Sequence, residues 1–188
     1  MYRKTVQQKD SIQHRLKGDR CDYENGYLHG FTDSYRVGGF AETEERYEPF
    51  WFRTFRFLQV DVTTGEDPLY ITGLDYLETG YPLEASAWVE TSDETLKPVW
   101  DISLRTLKRC MHETYEDCPY YEQLQYAMDS RSQILYTYMV SADDRLARKC
   151  MDDFRRSQRY DGMINCSYPC YGPKCHSGIF YLLYYDAL

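Results

Sequence analysis

Carboxylates stand close together among tyrosines between positions 115 and 129. The candidate acids are Asp117, Glu122 and Asp129, and four tyrosines are interleaved with them. Carboxylates accept hydrogen bonds from hydroxyl groups, and aromatic rings can cover the apolar face of a sugar ring. A carboxyl that is partly withdrawn from water has a raised pKa and can serve as a general acid. The pattern is compatible with a carbohydrate site, although acids at a helix junction are more often caps or solvated charges.

The region that contains these acids is predicted to be helical, because helical periodicity begins at about Thr91. We therefore expect helices to position the acids. A first helix is expected from a cap at Ser92 or Asp93 to about His112. Its buried stripe is predicted to comprise Leu96, Trp100, Ser103, Leu107 and Met111. Pro119 keeps Cys118 out of helical geometry, so Asp117 is expected at a helix end.

Two further helices are predicted downstream, over Gln133–Val140 and Asp143–Gln158. In the second of these, acids in the first turn and arginines in the last suit the helix dipole, and Gly162 follows as a stop. A final apolar segment with little polar face begins at Ile179, which is typical of the interior of a larger helical assembly.

The first part of the chain reads as strands from Tyr23 to about Leu77. Asn25-Gly26 is a typical hairpin-turn pair. Trp51–Val62 is rich in aromatic and β-branched residues, and Leu69–Thr72 resumes as a strand after a turn. Short strands between turn signals predict part of a β-sandwich.

Charge and composition exclude several functions. The net charge of -8 removes the sequence-independent attraction to phosphate backbones, so we expect no nucleic-acid binding. There is no apolar run of about 20 residues and no secretory signal, so we expect no membrane insertion and a cytoplasmic location. The seven cysteines are expected to be reduced thiols.

A zinc site at the cysteine-rich end of the chain is the weaker of two interpretations. Cys166, Cys170, Cys175 and His176 have no C-x₂-C pair, and adjacent residues rarely bind one structural zinc ion. Free loop thiols are favoured there, and we expect neither a metal nor a cofactor.

The segment from Asp117 to Tyr126, followed by Asp129, closely resembles the signature of bacterial α-L-rhamnosidases of glycoside hydrolase family seventy-eight. Tyr47–Gln59 looks like the strand that precedes the catalytic barrel in that family. Asp161–Pro169 looks like the loop after its third barrel helix. The similarity runs from about Gly30 to the end of the chain, with three motifs in the family's order.

This resemblance implies an α+β fragment: the C-terminal part of a β-sandwich in residues 1–82, then the opening helices of an (α/α)₆ barrel in 83–188. It implies inverting hydrolysis of terminal α-L-rhamnose from a rhamnose-containing carbohydrate. Glu122 would be the general acid, and Asp117 and Asp129 would hold rhamnose hydroxyls. The general base and the rest of the barrel would lie outside this chain, leaving it inactive alone. The alternative is a non-catalytic truncated product that acts as a sugar-binding or interaction module.

Several residues depart from the family pattern or remain open. Met128 stands where many relatives have glycine, and Tyr120-Tyr121 replaces a Gln-Arg pair. His112 is expected to cap a helix end, with orientation of Asp117 as the alternative. Trp51 and Trp100 each lie on an apolar stripe, so both are predicted to be core residues rather than sugar platforms.

Overall fold

The computed structural model describes residues 2–3, 22, 24, 26–27, 30–40 and 43–171, and every structural statement below concerns these residues. They contain two short strands, β1 (Tyr2–Arg3) and β2 (Gly26–Tyr27), and three helices. The helices are α1 (Leu96–Arg109), α2 (Ala127–Val140) and α3 (Arg145–Arg156). Contacts divide the chain into two units, 1–50 and 51–188. The predicted domain boundary after residue 82 stays a prediction.

In the first unit, β1 and β2 pair in antiparallel register, with Tyr2 opposite Tyr27 and Arg3 opposite Gly26. Gly26 of the predicted Asn25-Gly26 hairpin turn is thus a paired strand residue, and its partner lies more than twenty residues away in the chain. Asn25 lies outside the described residues, so the hairpin stays a prediction.

The predicted β-sandwich is not confirmed. Across 30–40 and 43–95 the described chain forms no strand, and most side chains between 55 and 80 are exposed. Alternating apolar residues make a strand only where a neighbouring strand takes the hydrogen bonds and a second layer covers the apolar face. Neither is present around the two predicted strands, Trp51–Val62 and Leu69–Thr72.

The second unit has its core among the three helices, where α1 packs on α2 and α2 on α3. The buried core comprises Leu83, Leu107, Met111, Tyr115, Ala127, Ile134, Val140, Leu146, Ala147, Cys150, Phe154 and Ile164. In α3 the predicted four-residue spacing is confirmed, since Leu146, Cys150 and Phe154 are all buried.

In α1 the predicted stripe is buried only toward its C-terminal end. Leu107 and Met111 are buried, while Trp100 lies partly buried against the core. The side chain of Leu96 is 49% exposed, and Ser103 is also exposed. The first two turns of α1 therefore extend beyond the core, and only the last turns of the helix are covered.

Residues 81–87, which precede α1, form hydrogen bonds with residues at the ends of the helices. The backbone amide of Tyr81 donates to the carbonyl of Met111, and the amides of Ser86 and Ala87 donate to the carbonyl of Val140. The Tyr81 hydroxyl donates to Asp143 Oδ2 over 2.8 Å. These bonds fix the end of α1 from which the chain turns toward the acids.

Candidate active site

The three acids lie on and around a turn between α1 and α2, which we call the acid turn (residues 116–126). Two hydrogen bonds between Asp117 and Leu124 close it. Asp117 N–H donates to the carbonyl of Leu124, and Leu124 N–H donates to Asp117 Oδ1, each over 2.9 Å. Gln123 adopts a left-handed conformation with φ 54, which a side-chain-bearing residue rarely takes. A turn held in this way presents its side chains in a fixed arrangement.

Asp117 has a structural role in addition to its predicted role in binding sugar hydroxyls. Because its Oδ1 accepts the Leu124 amide, one carboxylate oxygen is already engaged in closing the acid turn. The predicted placement at a helix end is only approximate, since α1 ends at Arg109 and Asp117 follows within the turn.

Glu122 lies on the exposed side of the acid turn. Its Oε2 accepts a hydrogen bond from the Tyr126 hydroxyl over 2.5 Å, and its backbone amide donates to Cys118 Sγ over 3.3 Å. The bond to Glu122 stabilises the neutral phenol and raises the pKa of Tyr126 to about 12. One carboxylate oxygen of Glu122 is thus oriented by a phenol one residue before α2.

Asp129 lies in the first turn of α2 rather than in a connecting loop. The helix begins six residues earlier than predicted, because Asp129, Ser130 and Arg131 conceal its start in the sequence. Partial desolvation raises the pKa of Asp129, and the negative charges of Asp117 and Glu122 raise it further. The fold therefore brings the three predicted acids into electrostatic contact.

A buried carboxyl that the sequence did not single out lies beneath this group. Glu116 is 3% exposed, and its Oε1 lies 3.2 Å from His112 Nδ1. Burial raises the pKa of Glu116 to about 7 and lowers the pKa of His112. His112 thus faces Glu116 rather than orienting Asp117. Both residues lie beyond the end of α1, so helical spacing could not indicate this pair.

Two other sequence motifs border the acid turn. On one side, Trp51 Nε1–H donates to Gln123 Oε1 over 3.2 Å. On the other, Tyr126 forms an isolated antiparallel bridge with Ser167, and Gln125 Nε2–H donates to the carbonyl of Tyr168 over 2.7 Å. Residues from all three motifs therefore meet around the acids.

The structure corrects the prediction for one tryptophan. Trp51 is not a core residue: its side chain is 50% exposed beside the acid turn. Trp100, by contrast, packs partly buried against the core as predicted. The two indoles could not be told apart from apolar spacing alone, because Trp51 belongs to no helix or strand that would give its stripe a partner.

Metal ligands are not assembled in the part of the chain that the structure describes, where no group of three or more His, Cys, Asp or Glu residues could hold an ion. Cys166 and Cys170 are half-buried cysteines of the described part of the chain. Cys175, His176 and the segment from Ile179 lie outside the described residues. None of the described helices is long and apolar enough to cross a membrane.

The family model for the bacterial α-L-rhamnosidase six-hairpin glycosidase domain matches residues 84–180, just over half of the chain. The chain belongs to this family. The match covers all three helices and the acid turn, and the helices are part of the helical domain of a rhamnosidase-family protein.

A solved structure gives the same assignment. The rhamnosidase of glycoside hydrolase family 78 from Bacillus sp. GL1 is 26% identical to this chain, with a TM-score of 0.53. The alignment covers 57% of this chain and 11% of that protein. The rhamnosidase-family chain described here therefore spans about a ninth of the length of its solved relative. A search of curated proteins found no match.

Proposed function

We propose that this chain is part of a longer inverting α-L-rhamnosidase and carries its general acid. The observation that supports the proposal most strongly is the acid turn. In it Glu122 is exposed, held by Tyr126 and flanked by Asp117 and Asp129 within a chain of the rhamnosidase family. Each group has a position suited to the role that the resemblance implies.

In the proposed reaction, Glu122 donates a proton to the oxygen that leaves with the rest of the glycoside. A second carboxylate, outside this chain, activates water on the opposite face of the rhamnose. The two carboxyl groups of an inverting enzyme stand roughly 6.5–9.5 Å apart so that water fits between them. A bound sugar would cover the exposed Glu122 carboxyl and exclude bulk water from it.

Asp117 and Asp129 would accept hydrogen bonds from rhamnose hydroxyls. Asp129 is the better placed of the two, since one oxygen of Asp117 already accepts the Leu124 amide. Asp129 lies in the first turn of α2, where the helix dipole opposes, without cancelling, the desolvation and the neighbouring negative charges that raise its pKa.

The deciding experiment replaces Glu122 in the longer protein. Glu122→Gln keeps the shape and the acceptor oxygen but cannot donate a catalytic proton. We expect hydrolysis of an unactivated rhamnoside to fall by at least about 100-fold, since general acid catalysis typically contributes 10²–10⁴-fold. Binding of rhamnose should persist. Turnover is followed by release of reducing sugar, and binding by calorimetry.

Two variants serve as comparisons for Glu122→Gln. Glu113→Gln makes the same chemical change at an exposed position between His112 and Thr114, and should leave turnover unchanged. Asp129→Asn should chiefly weaken sugar binding. Near-normal turnover of the Glu122→Gln variant would contradict the role of Glu122. A reading frame that closes at Leu188 would favour a non-catalytic product.

A further inference from the structure

An aromatic column connects the protein interior to the exposed edge of the acid turn. The rings of Phe52 and His112 stack with centroids 4.0 Å apart and planes at 14°. Phe52 in turn contacts Trp51, with ring centroids 5.1 Å apart and planes tilted by 33°. Because His112 lies against the buried carboxyl of Glu116, the column is anchored at its inner end. Trp51 is its outer end.

The indole of Trp51 is held in place although it is half exposed. Its N–H donates to Gln123 Oε1 over 3.2 Å, and the side-chain Nε2–H of Gln123 donates to the carbonyl of Pro119 over 2.9 Å. Gln123 directly follows Glu122 and has the left-handed backbone described above. The ring is therefore fixed both by the column behind it and by the residue next to the proposed acid.

A fixed, half-exposed indole with a satisfied N–H is suited to pack against the apolar face of a ring. The polar atom of Trp51 already has its partner, so the exposed part of the side chain is apolar surface. Pyranose rings present C–H groups on one face, and rhamnose adds a methyl group. A nearby set of carboxylates can bind the hydroxyl groups that point away from this face.

From these contacts we infer that Trp51 is a carbohydrate-stacking residue that packs against the rhamnose ring whose hydroxyls Asp117 and Asp129 bind. The inference rests on the proposed function and adds a substrate contact from outside the helical domain. Stacking is equally strong before and during bond cleavage, so its loss should raise KM and leave kcat nearly unchanged.

Tryptophan fluorescence of the longer protein tests the contact directly. Addition of L-rhamnose should change the emission of the parent protein, and Trp51→Phe should abolish that change. Trp88→Phe is the matched control, because Trp88 is 75% exposed and adjoins Ala87, whose amide donates to Val140 at the far end of α2. A helix of 14 residues places that end about 20 Å from Ala127. A rhamnose response that survives Trp51→Phe would overturn the inference.

Kinetics separate this inference from the proposed function. Trp51→Ala should raise KM for a rhamnoside about tenfold, as expected for the loss of roughly 1.4 kcal/mol, while kcat changes little. Trp51→Phe, which keeps a ring, should have an intermediate KM. If the parent protein hydrolyses rhamnosides and Trp51→Ala leaves KM unchanged, the stacking role is wrong and the function stands. If the parent protein hydrolyses no rhamnoside, the function fails, and this assignment of the rhamnose contact fails with it.

Discussion

The carboxyl groups of this site differ in their burial and in the hydrogen bonds that they form within the protein. Asp117 closes the acid turn through Oδ1, Glu122 is oriented by Tyr126, and Glu116 is buried beneath both. Glu116 is the unusual member, because within the described residues its Oε2 accepts no hydrogen bond. A carboxylate in that position is costly, whereas a protonated carboxyl can donate to the neutral imidazole of His112.

The buried carboxyl leads to a prediction about pH. Burial raises the pKa of Glu116 from 4.5 to about 7, so the folded protein holds a proton that the unfolded chain releases in this range. The free energy of unfolding must therefore fall as pH rises from about 4.5 to 7. Glu116→Gln removes this dependence, and the variant should gain about 3 kcal/mol relative to the parent across the range.

Chemical denaturation of parent and Glu116→Gln proteins at pH 5 to 8 measures the difference. The lowered pKa of His112 has the opposite effect, since the folded state then binds fewer protons than the unfolded chain. His112 is present in both proteins, so its effect largely cancels in the comparison. Stability curves that run parallel across the range would show that Glu116 does not titrate in this way.

Among the elements, the segment that leads from α1 into the acid turn is joined to α2 by a buried hydroxyl pair. Tyr115 and Thr137 are each 0% exposed, and their hydroxyl oxygens lie 3.0 Å apart. Tyr115→Phe should lower the free energy of unfolding by about 1 kcal/mol, the usual net value of a buried hydrogen bond. Thr137→Val should cost a similar amount, and the double variant should cost less than the sum of both. Denaturation of the four proteins checks this, and strictly additive losses would show that the pair is not coupled.

Elements that depend on residues close in the sequence could be predicted, whereas elements that depend on contacts distant in the sequence could not. All three helices were predicted, α1 and α3 because their apolar stripes, which include Leu107 and Phe154, repeat at helical spacing. The start of α2 was missed because its first turn is polar and its amide at Ala127 donates to the carbonyl of Cys166, a contact some forty residues away. The predicted strands depend on neighbours that sequence spacing does not supply.

The site was predicted from residue type and resemblance, and the structure adds the burial and the contacts of its residues. Asp117, Glu122 and Asp129 were identified from spacing, and their roles remain predictions. Glu116 was not predicted as a site residue, because the sequence of an acidic chain does not show that this fourth acid is buried. Trp51 was assigned to the core because an aromatic residue in an apolar run is usually buried.

At the scale of the whole molecule, the described chain exposes much apolar surface. Many large hydrophobic side chains are at least 39% exposed, including Leu96, Val99 and Ile102 on α1 and Met139 on α2. Each 100 Å² of apolar surface left in water forfeits about 2.5 kcal/mol, against a typical stability of about 5–15 kcal/mol. In the longer protein proposed above, further helices of the six-hairpin domain would cover such faces.

We therefore expect this chain, produced alone, to aggregate or to be partly molten. It should keep helical far-ultraviolet circular dichroism, bind a hydrophobic dye and unfold without a sharp transition, because its secondary structure is local but its apolar faces lack cover. Placing charges on the exposed face of α1, for example Val99→Glu with Ile102→Lys, should reduce aggregation of the isolated chain. In the longer protein the same changes should be destabilising, since these faces would be buried there. A purified monomer of the isolated chain with a sharp, reversible two-state melt would show that the chain is complete in its packing.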